Sequence, residues 1–145
     1  MLIKRVNAFD IRKVRHRNLR QGKPYSTTSY KRDEENKTFH LACIYNNKAI
    51  SCATFYPEEN KYFPNEKAYR LRGMATDIEY RKRGIGKKIM LRAFEEIKKK
   101  KGTLLWCNAR IIAIEFYKKI GFQIKGEEFD IPDIGKHYFM YKKIN

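Results

Sequence analysis

A short basic segment, Arg81-Lys82-Arg83-Gly84-Ile85-Gly86, contains the residue types that bind phosphate groups. It lies between a predicted strand and a predicted amphipathic helix, and its glycines allow the backbone to approach a ligand closely. The N-terminus of a helix carries about half a positive charge, so a pyrophosphate is a natural ligand for the amides there. A solvated basic turn with glycine at a helix start explains the composition equally well. The side chains that add positive charge are Arg81, Lys82, Arg83, Lys87 and Lys88.

The spacing of the glycines excludes two common phosphate-binding motifs. A Walker A loop requires a glycine five residues before Gly86, where this chain has Arg81. A Rossmann fingerprint requires a third glycine where this chain has Ile89. The segment therefore predicts an anion site at a helix start that belongs to neither nucleotide-binding class.

Hydrophobic periodicity and turn residues predict the elements that position this segment. Strands are expected at 2–6, 39–45, 49–56, 68–76, 103–107, 122–129 and 137–143, and helices at 9–20, 84–101 and 109–120. Asn46-Asn47 is expected to form a hairpin turn, and Gly102 to end the second helix as its C′ residue. The order β-α-β-β-β-α-β-α-β-β predicts an α/β fold on a mixed sheet, in one domain spanning residues 1–145. The third helix is expected to pack through Ile112, Ala113, Phe116 and Ile120.

The charge of the chain is strongly positive. Its 145 residues include 33 Lys and Arg against 16 Asp and Glu, a formal net charge of +17, which favours phosphate-bearing partners such as nucleotides, nucleic acids or anionic membranes. No apolar run approaches the about 18 residues of a membrane span, and the start lacks a signal-peptide core, so we expect a cytoplasmic protein. The three cysteines form no C-x-x-C pair and the histidines are scattered, so no disulfide framework and no metal site is predicted. Cys43 and Cys52 flank the predicted hairpin and are expected to be free thiols.

Two motifs, in the right order along the chain, resemble those of the GCN5-related N-acetyltransferase (GNAT) superfamily. The acetyl-CoA signature of that family, Arg/Gln-x-x-Gly-x-Gly/Ala, is matched by Arg81, Gly84 and Gly86. The second motif is an Asn, an Ala five residues on, then Phe-Tyr and Gly-Phe, and it is matched by Asn108, Ala113, Phe116-Tyr117 and Gly121-Phe122. The resemblance covers residues 69–122. It implies a GNAT-like mixed, mostly antiparallel sheet of six to seven strands flanked by about four helices.

The resemblance also implies where acetyl-CoA binds. In the family, the strand before the signature bonds the pantetheine arm as an added strand would, and its place here is taken by Met74, Ala75 and Thr76. The pyrophosphate and the ribose 3′-phosphate would be bound by backbone amides and basic side chains of Arg81, Lys82, Arg83, Gly84, Ile85, Gly86 and Lys87. Asn108 matches a position that contacts pantetheine, although it could instead cap the helix predicted from residue 109.

Tyr117 matches the tyrosine that family members use as general acid. Attack of an amine on a thioester expels a thiolate, and a phenol placed at the sulfur can hydrogen-bond to it or protonate it. An ordinary core tyrosine beside Phe116 is the alternative. Cys107 has no histidine near it in the sequence, so we expect a structural role for it rather than a covalent mechanism.

A general base is also required, because an amine must lose a proton before it attacks. The candidates are His137, Glu79, Glu128 and Asp130. His137 could be the base, a substrate contact or an ordinary strand histidine. Each carboxylate could equally be a solvated surface charge.

The leading hypothesis is an acetyl-CoA-dependent N-acetyltransferase that transfers the acetyl group directly to a primary amine in a ternary complex. The resemblance places the acceptor groove at residues 12–30 and 129–138, where a basic rim would favour an acceptor with a carboxylate or phosphate. The rim would consist of Arg12, Arg15, Arg17 and Arg20, beside Asp130 and Asp133. The alternatives are a basic nucleic-acid-binding module that uses residues 12–17 and 98–101, and a GNAT fold without a dedicated acceptor. A C-terminal edge strand could also pair in a homodimer.

Overall fold

The computed structural model describes all residues, Met1–Asn145, and contains eight β-strands and three α-helices. The helices are α1 (Ala8–Leu19), α2 (Ile85–Lys99) and α3 (Ile114–Lys119). The strands are β1 (Leu2–Val6), β2 (Phe39–Tyr45), β3 (Lys48–Pro57), β4 (Ala68–Thr76), β5 (Leu104–Arg110), β6 (Gln123–Ile124), β7 (Phe129–Ile131) and β8 (Gly135–Lys143). Two compact units are present, here called unit 1 (Met1–Pro57 with Leu71–Glu95) and unit 2 (Glu58–Arg70 with Glu96–Asn145).

Unit 1 is built on strands in the order β1-β2-β3-β4, and the pairing of β1 with β2 and of β2 with β3 is antiparallel. The predicted hairpin turn is confirmed, because Asn46 and Asn47 both have positive φ values of 50° and 62°. Helix α1 begins at a capping box in which the Asn7 N–H donates to the Asp10 carboxylate over 3.0 Å. The core of this unit joins helix α1 to the strands through Ile11, Val14, Ala42, Cys52 and Ala75.

Helix α2 follows the predicted amphipathic pattern but ends differently from the prediction. Ile85, Ile89 and Met90 are buried along the face that the periodicity indicated. The residue with positive φ after the helix is Lys101, at 66°, and not Gly102. Gly102 is required by space instead, because a Cβ there would overlap Ile97 and lie 2.9 Å from the Tyr69 ring. The prediction of a C′ glycine was therefore wrong in its reason, although a glycine is needed at this position.

Unit 2 contains the parallel pairing and the C-terminal strands. Strands β4 and β5 run parallel where Ala68–Arg70 face Leu104–Trp106. Strand β8 pairs antiparallel with β5 on one side, and β6 and β7 both pair with β8. The predicted C-terminal edge strand is therefore wrong, since β8 has partners on both sides. The core of this unit includes Ala68, Leu104, Trp106 and Phe139.

Three sequence predictions for unit 2 are corrected by its structure. Residues 108–110 continue strand β5 because they pair with β8, so the helix predicted from residue 109 begins only at Ile114, after a 3₁₀ turn at Ile111–Ala113. Ile112 is 91% exposed and does not pack in the core, whereas Ile114 and Tyr117 do. The strand predicted at 122–129 is divided into β6 and β7, because Gly126 turns the chain with a φ of 85°. This division gives eight strands where six to seven were expected, and the α-helices number three where about four were expected.

No helix in the chain has both the length and the apolar character needed to cross a membrane.

Candidate active site

The basic segment of unit 1 forms a tight turn that leads into helix α2. Lys82 and Gly84 both have positive φ values, 63° and 78°, while Arg81, Lys82, Arg83 and Gly84 are all exposed. The first N–H groups of a helix have no acceptor within it, so the amides that begin at Ile85 are available to a ligand. No acidic side chain occurs between residues 81 and 88. The turn therefore has the backbone shape and the charge of an anion site.

The side chain of Arg81 has a different role from the one that its charge suggested. Its Nε donates to the Thr76 carbonyl oxygen over 2.8 Å, and its Nη2 donates to the Asn18 side-chain oxygen over 3.1 Å. The guanidinium thus bonds the last residue of β4 and the side of helix α1. These bonds hold the turn in shape, which leaves the backbone of Arg81 for a ligand.

A buried carboxylate, Asp77, completes this network directly after β4. It accepts hydrogen bonds from Arg17 Nε at 3.1 Å and Nη2 at 2.9 Å, and from Asn18 Nδ2 at 2.7 Å. The Asp77 N–H donates to the Ile50 carbonyl over 2.8 Å. Sequence analysis missed this network, although an acidic residue between a strand and a basic turn was a visible signal. It fixes the end of β4 against α1 and β3.

The predicted pantetheine segment is the last part of β4. Its Cα register with β5 covers only Ala68–Arg70, and β4 continues to Thr76. Gly73 has a φ of 64°, so the strand is irregular immediately before Met74. Ala75 is buried, and its carbonyl accepts from the Ser51 hydroxyl at 2.9 Å. The Thr76 hydroxyl lies 2.7 Å from the Ser51 hydroxyl oxygen.

Asn108 lies within strand β5 of unit 2, opposite Phe139 of β8. Its interpretation as a helix cap is wrong, because α3 begins six residues later and is preceded by Ala113 at the N-cap. The side chain is half-buried and makes no hydrogen bond within the chain. Its amide is therefore free to bond a ligand.

Tyr117 lies in helix α3 with its hydroxyl directed at Cys107 of β5. The residue is 6% exposed, and its ring contacts those of Phe116 and Phe122 with centroid distances of 5.2 Å in both pairs. Burial, and then the hydrogen bond with Cys107, raise the pKa of Tyr117 well above 10. Burial raises the pKa of Cys107 to about 12, although the Tyr117 hydroxyl lowers it in part. Both groups are neutral at physiological pH, and Cys107 is no nucleophile there.

Three of the candidate bases lie at the β7–β8 pair of unit 2 and Glu79 lies in unit 1, and the three carboxylates are exposed. His137 is 3% exposed, its Nδ1 donates to the Gly135 carbonyl over 2.8 Å, and its ring stacks on Phe129 at 6.0 Å. Since a carbonyl only accepts, the neutral ring carries its proton on Nδ1. Glu79 and Asp130 are exposed, and Glu128 is exposed beside Lys136 at 3.4 Å. These surroundings indicate a packing role for His137 and distinguish none of the carboxylates.

The expected basic rim on helix α1 is wrong for one of its members. Arg15 is fully buried, where it donates to both Asp33 oxygens at 2.7 and 2.9 Å, to the Thr28 carbonyl at 2.8 Å and to the Thr54 hydroxyl at 2.7 Å. Arg17 is engaged by Asp77 as described above. The basic run at residues 12–17 is therefore not a continuous cationic face, which removes the main support for the nucleic-acid alternative.

The three cysteines are free and buried, as expected for Cys43 and Cys52. In the hairpin register, Cys43 faces Ser51 and Cys52 faces Ala42. No cluster of three or more His, Cys, Asp or Glu side chains suited to a metal ion occurs in the chain.

Comparison with known proteins identifies the class to which this fold and site belong. The sequence profile of the acetyltransferase (GNAT) domain matches residues 36–124. Among solved structures, an aminoglycoside 6′-N-acetyltransferase complexed with coenzyme A covers the whole chain with a TM-score of 0.81 at 13% identity, over 98% of its own length. Tetrahymena GCN5 covers 95% of the chain and 86% of its own length, with a TM-score of 0.70 at 20% identity.

The chain belongs to the GNAT acetyltransferase family and is an acetyl-CoA-dependent N-acetyltransferase. It is similar to the N-acetyltransferase YitI of Bacillus subtilis (strain 168), with 37% identity over 142 residues that cover 98% of this chain and 95% of YitI. These matches confirm the family that the two sequence motifs indicated.

Proposed function

We propose that the protein transfers an acetyl group from acetyl-CoA to a primary amine by direct attack within a ternary complex. The observation that carries this proposal is the exposed turn at the start of helix α2, which Lys82 and Gly84 shape in the left-handed conformation and which follows β4 after the 3₁₀ turn Ile78–Tyr80. This turn fits a pyrophosphate in shape and in charge. A cytoplasmic location belongs to the proposal and is supported by the three free cysteines.

The cofactor contacts in the proposal follow the geometry of each unit. In unit 1 the amides from Arg81 to Gly86 bind the pyrophosphate, Lys82, Arg83 and Lys87 reach the 3′-phosphate, and the backbone of residues 74–76 bonds the pantetheine arm. In unit 2 the unpaired Asn108 amide contributes a further polar contact. The Arg81 side chain is assigned to the turn and not to the ligand, because two of its nitrogens already donate within the chain.

The chemical step forms one bond and breaks another. The amine nitrogen attacks the thioester carbonyl carbon, the carbon–sulfur bond breaks, the thiolate takes a proton, and the amine loses one to a base or to water. Tyr117 is the proposed acid at the leaving sulfur. A thiol has a pKa near 8.5, so full proton transfer from a phenol whose pKa lies well above 10 is uphill by more than about 2 kcal/mol. Tyr117 therefore acts mainly as a hydrogen-bond donor that stabilises the thiolate as it forms.

His137 is the proposed base, or else a residue that contacts the substrate. A free Nε2 lone pair on the neutral ring supports the assignment, and the burial of the ring opposes it. Replacing His137 with Gln keeps a polar group at the position but removes the nitrogen that could accept a proton. If His137 is the base, the His137→Gln variant should lose the acid limb that the wild type shows in its pH–rate profile. A profile with the same shape as that of the wild type would exclude His137 as the base.

Melting temperatures with acetyl-CoA, CoA and 3′-dephospho-CoA test the cofactor site first. A ligand at about 100 times its dissociation constant adds about 2.7 kcal/mol to the free energy of unfolding. We expect a saturable rise in melting temperature with acetyl-CoA and a weaker one with the dephospho form. Lys82→Ala and Arg83→Ala should abolish the difference between the two ligands, whereas the distant control Lys98→Ala should not. No rise at millimolar acetyl-CoA would refute the site.

Turnover of the Tyr117→Phe variant tests the chemistry. We expect a fall of about one to two orders of magnitude in kcat with unchanged acetyl-CoA affinity. A kcat equal to that of the wild type would show that Tyr117 is only a core residue.

A further inference from the structure

Three arginine side chains of unit 1 surround the ring of Tyr30, in the segment that follows helix α1. The guanidinium carbons of Arg15, Arg72 and Arg20 lie 3.9, 4.7 and 5.4 Å from the ring centroid. Arg15 is fully buried and neutralised by Asp33. The other two guanidinium groups have no such carboxylate. The cluster therefore carries an excess of two positive charges around one aromatic ring.

Arg72 is the least compensated member of this cluster. It is half-buried in strand β4, and its stacking on Tyr30 is its only interaction, with no hydrogen bond and no ion pair. Its nitrogen atoms are not among the buried polar atoms that lack a partner, so solvent reaches them. A half-buried guanidinium normally has a hydrogen-bonded anion as partner, because desolvation penalises an unpaired charge. Arg72 thus presents unused donors to a ligand.

Arg20 and Tyr30 add further donors beside Arg72. Arg20 Nη1 donates to the Leu19 carbonyl over 3.0 Å, which anchors this half-buried side chain and leaves Nε and Nη2 without a partner. The Tyr30 hydroxyl makes no hydrogen bond within the chain. A Cβ at Gly73 would lie 3.0 Å from the Tyr30 ring, so the ring lies directly on the irregular part of β4. The cluster offers several donors, and its one acidic side chain, Asp33, is paired with Arg15.

The position of the cluster links it to the proposed reaction. Arg72 precedes the proposed pantetheine segment by two residues. Since a regular strand rises about 3.3 Å per residue and Gly73 makes β4 irregular here, Arg72 lies at most about 7 Å along the chain from Met74. We infer that Arg72, Arg20 and Tyr30 bind an anionic group, a carboxylate or a phosphate monoester, on the amine acceptor. This inference rests on the proposed function and names the substrate class that the site selects. It disfavours polycationic amines, because the cluster would repel them.

Matched pairs of small amines test the inference. Each pair differs only in the group distant from the amine: 4-aminobutanoate against putrescine, and O-phosphoethanolamine against ethanolamine. Turnover is followed by release of the CoA thiol at 0.15 M salt. We expect the anionic member to have at least a tenfold higher kcat/KM in one pair, and the pair that shows it distinguishes a carboxylate site from a phosphate site.

Variants assign the preference to the cluster. Arg72→Met keeps the length of the side chain and removes its charge, and we expect it to raise the KM of the anionic acceptor at least tenfold while the KM of acetyl-CoA is unchanged. Arg72→Lys should recover part of the preference. The control is Arg5→Met, because Arg5 is also a strand arginine stacked on a ring, that of Phe39 at 5.5 Å, but it is exposed whereas Arg72 is half-buried. An equal effect in the control would refute a specific role.

The failure of this inference differs from the failure of the proposed function. If acetyl-CoA raises the melting temperature and amines are acetylated without preference for the anionic member, the cluster has no role in selection and the inference is wrong. If none of the four amines is acetylated, calorimetric titration of O-phosphoethanolamine and 4-aminobutanoate into the CoA-loaded protein tests the inference by binding alone. The inference is then wrong if neither anionic amine binds more tightly than ethanolamine or putrescine. If acetyl-CoA itself has no effect, the proposed function fails first.

Discussion

The buried ion pair between Arg15 and Asp33 permits a sharp stability prediction. We consider the near-isosteric change Asp33→Asn, which removes the charge of a side chain that is 4% exposed beside a fully buried guanidinium. Removing one partner of a buried pair costs about 3–5 kcal/mol, because the other charge is left uncompensated. The carboxylate also accepts from the Tyr30 N–H over 2.9 Å, a bond that one amide oxygen cannot fully replace. We therefore expect a loss of about 4 kcal/mol, which is about a thousandfold in the ratio of folded to unfolded protein.

Urea unfolding at neutral pH measures this loss, and the thermal midpoint should fall by about 8–16 °C for a domain of this size. The control is Glu128→Gln, which removes a pair with Lys136 whose side chains are 37% and 63% exposed, and it should cost less than about 1 kcal/mol. A loss below about 1 kcal/mol for Asp33→Asn would refute the reasoning.

The pH dependence of the same variant gives an independent check. Burial alone raises the pKa of Asp33, but the hydrogen bonds from Arg15 and from the Tyr30 N–H outweigh it and hold the pKa below its ordinary value of 3.8. The stabilisation is therefore complete above pH 3.8 and is lost as the pH falls through the lower pKa of the folded state. The difference in stability between the wild type and Asp33→Asn should narrow below that pH, and a difference that stays constant down to the acid transition would contradict the assignment.

Three further predictions follow from burial. Burial lowers the pKa of His40 below 6.5, so the unfolded chain binds a proton that the folded chain does not, and the urea midpoint of the wild type should fall more between pH 7.5 and 5.5 than that of His40→Gln. All three cysteines are buried and have raised pKa values, so a chromogenic disulfide reagent at pH 8 should label less than one thiol in the native protein and three in urea. Gly102→Ala should lower the free energy of unfolding by about 1–3 kcal/mol through overlap with Ile97 and Tyr69, because φ at Gly102 lies outside the left-handed region and space alone opposes a Cβ; a loss below about 0.5 kcal/mol would show that space does not require the glycine.

The sequence predicted those features that depend on local pattern. The Asn46-Asn47 turn, the bounds of β4 and the exposed basic turn before α2 are all visible in residue types and spacing. Two of the errors in unit 2, the early start of the third helix and the unpaired C-terminal edge, have one physical cause, which is that long-range pairing outweighs local preference. Pairing with β8 keeps residues 108–110 extended, although their neighbours suit a helix. Strand β8 in turn pairs with β5 and β6, and no local pattern near the C-terminus reveals these partners.

The roles of individual charged side chains were the least predictable part of the site. Arg12, Arg15, Arg17 and Arg20 look alike in the sequence, yet Arg15 is buried on Asp33, Arg17 binds Asp77, and Arg12 bonds the Thr28 hydroxyl over 2.9 Å. Each partner lies at least 16 residues away along the chain, so spacing carries no signal for it. Charge composition predicts an anion-binding protein but not which arginine is available to bind the anion.

These pairings suggest how one helix can serve both halves of the proposed reaction. Through Arg15 and Asp33, helix α1 fixes the segment that carries Tyr30, and through Arg17, Asn18 and Asp77 it fixes the turn that precedes the anion site. Arg20 and Arg72, in contrast, make no ion pair, and apart from one bond of Arg20 to its neighbour's carbonyl their side chains only stack on Tyr30. Substitution of the first group should therefore reduce stability or acetyl-CoA affinity, whereas substitution of Arg20 or Arg72 should change acceptor preference alone. A relative with the same acetyl-CoA site and a different acceptor would then be expected to differ at positions 20, 30 and 72 and to keep the Arg15–Asp33 and Arg17–Asp77 pairs.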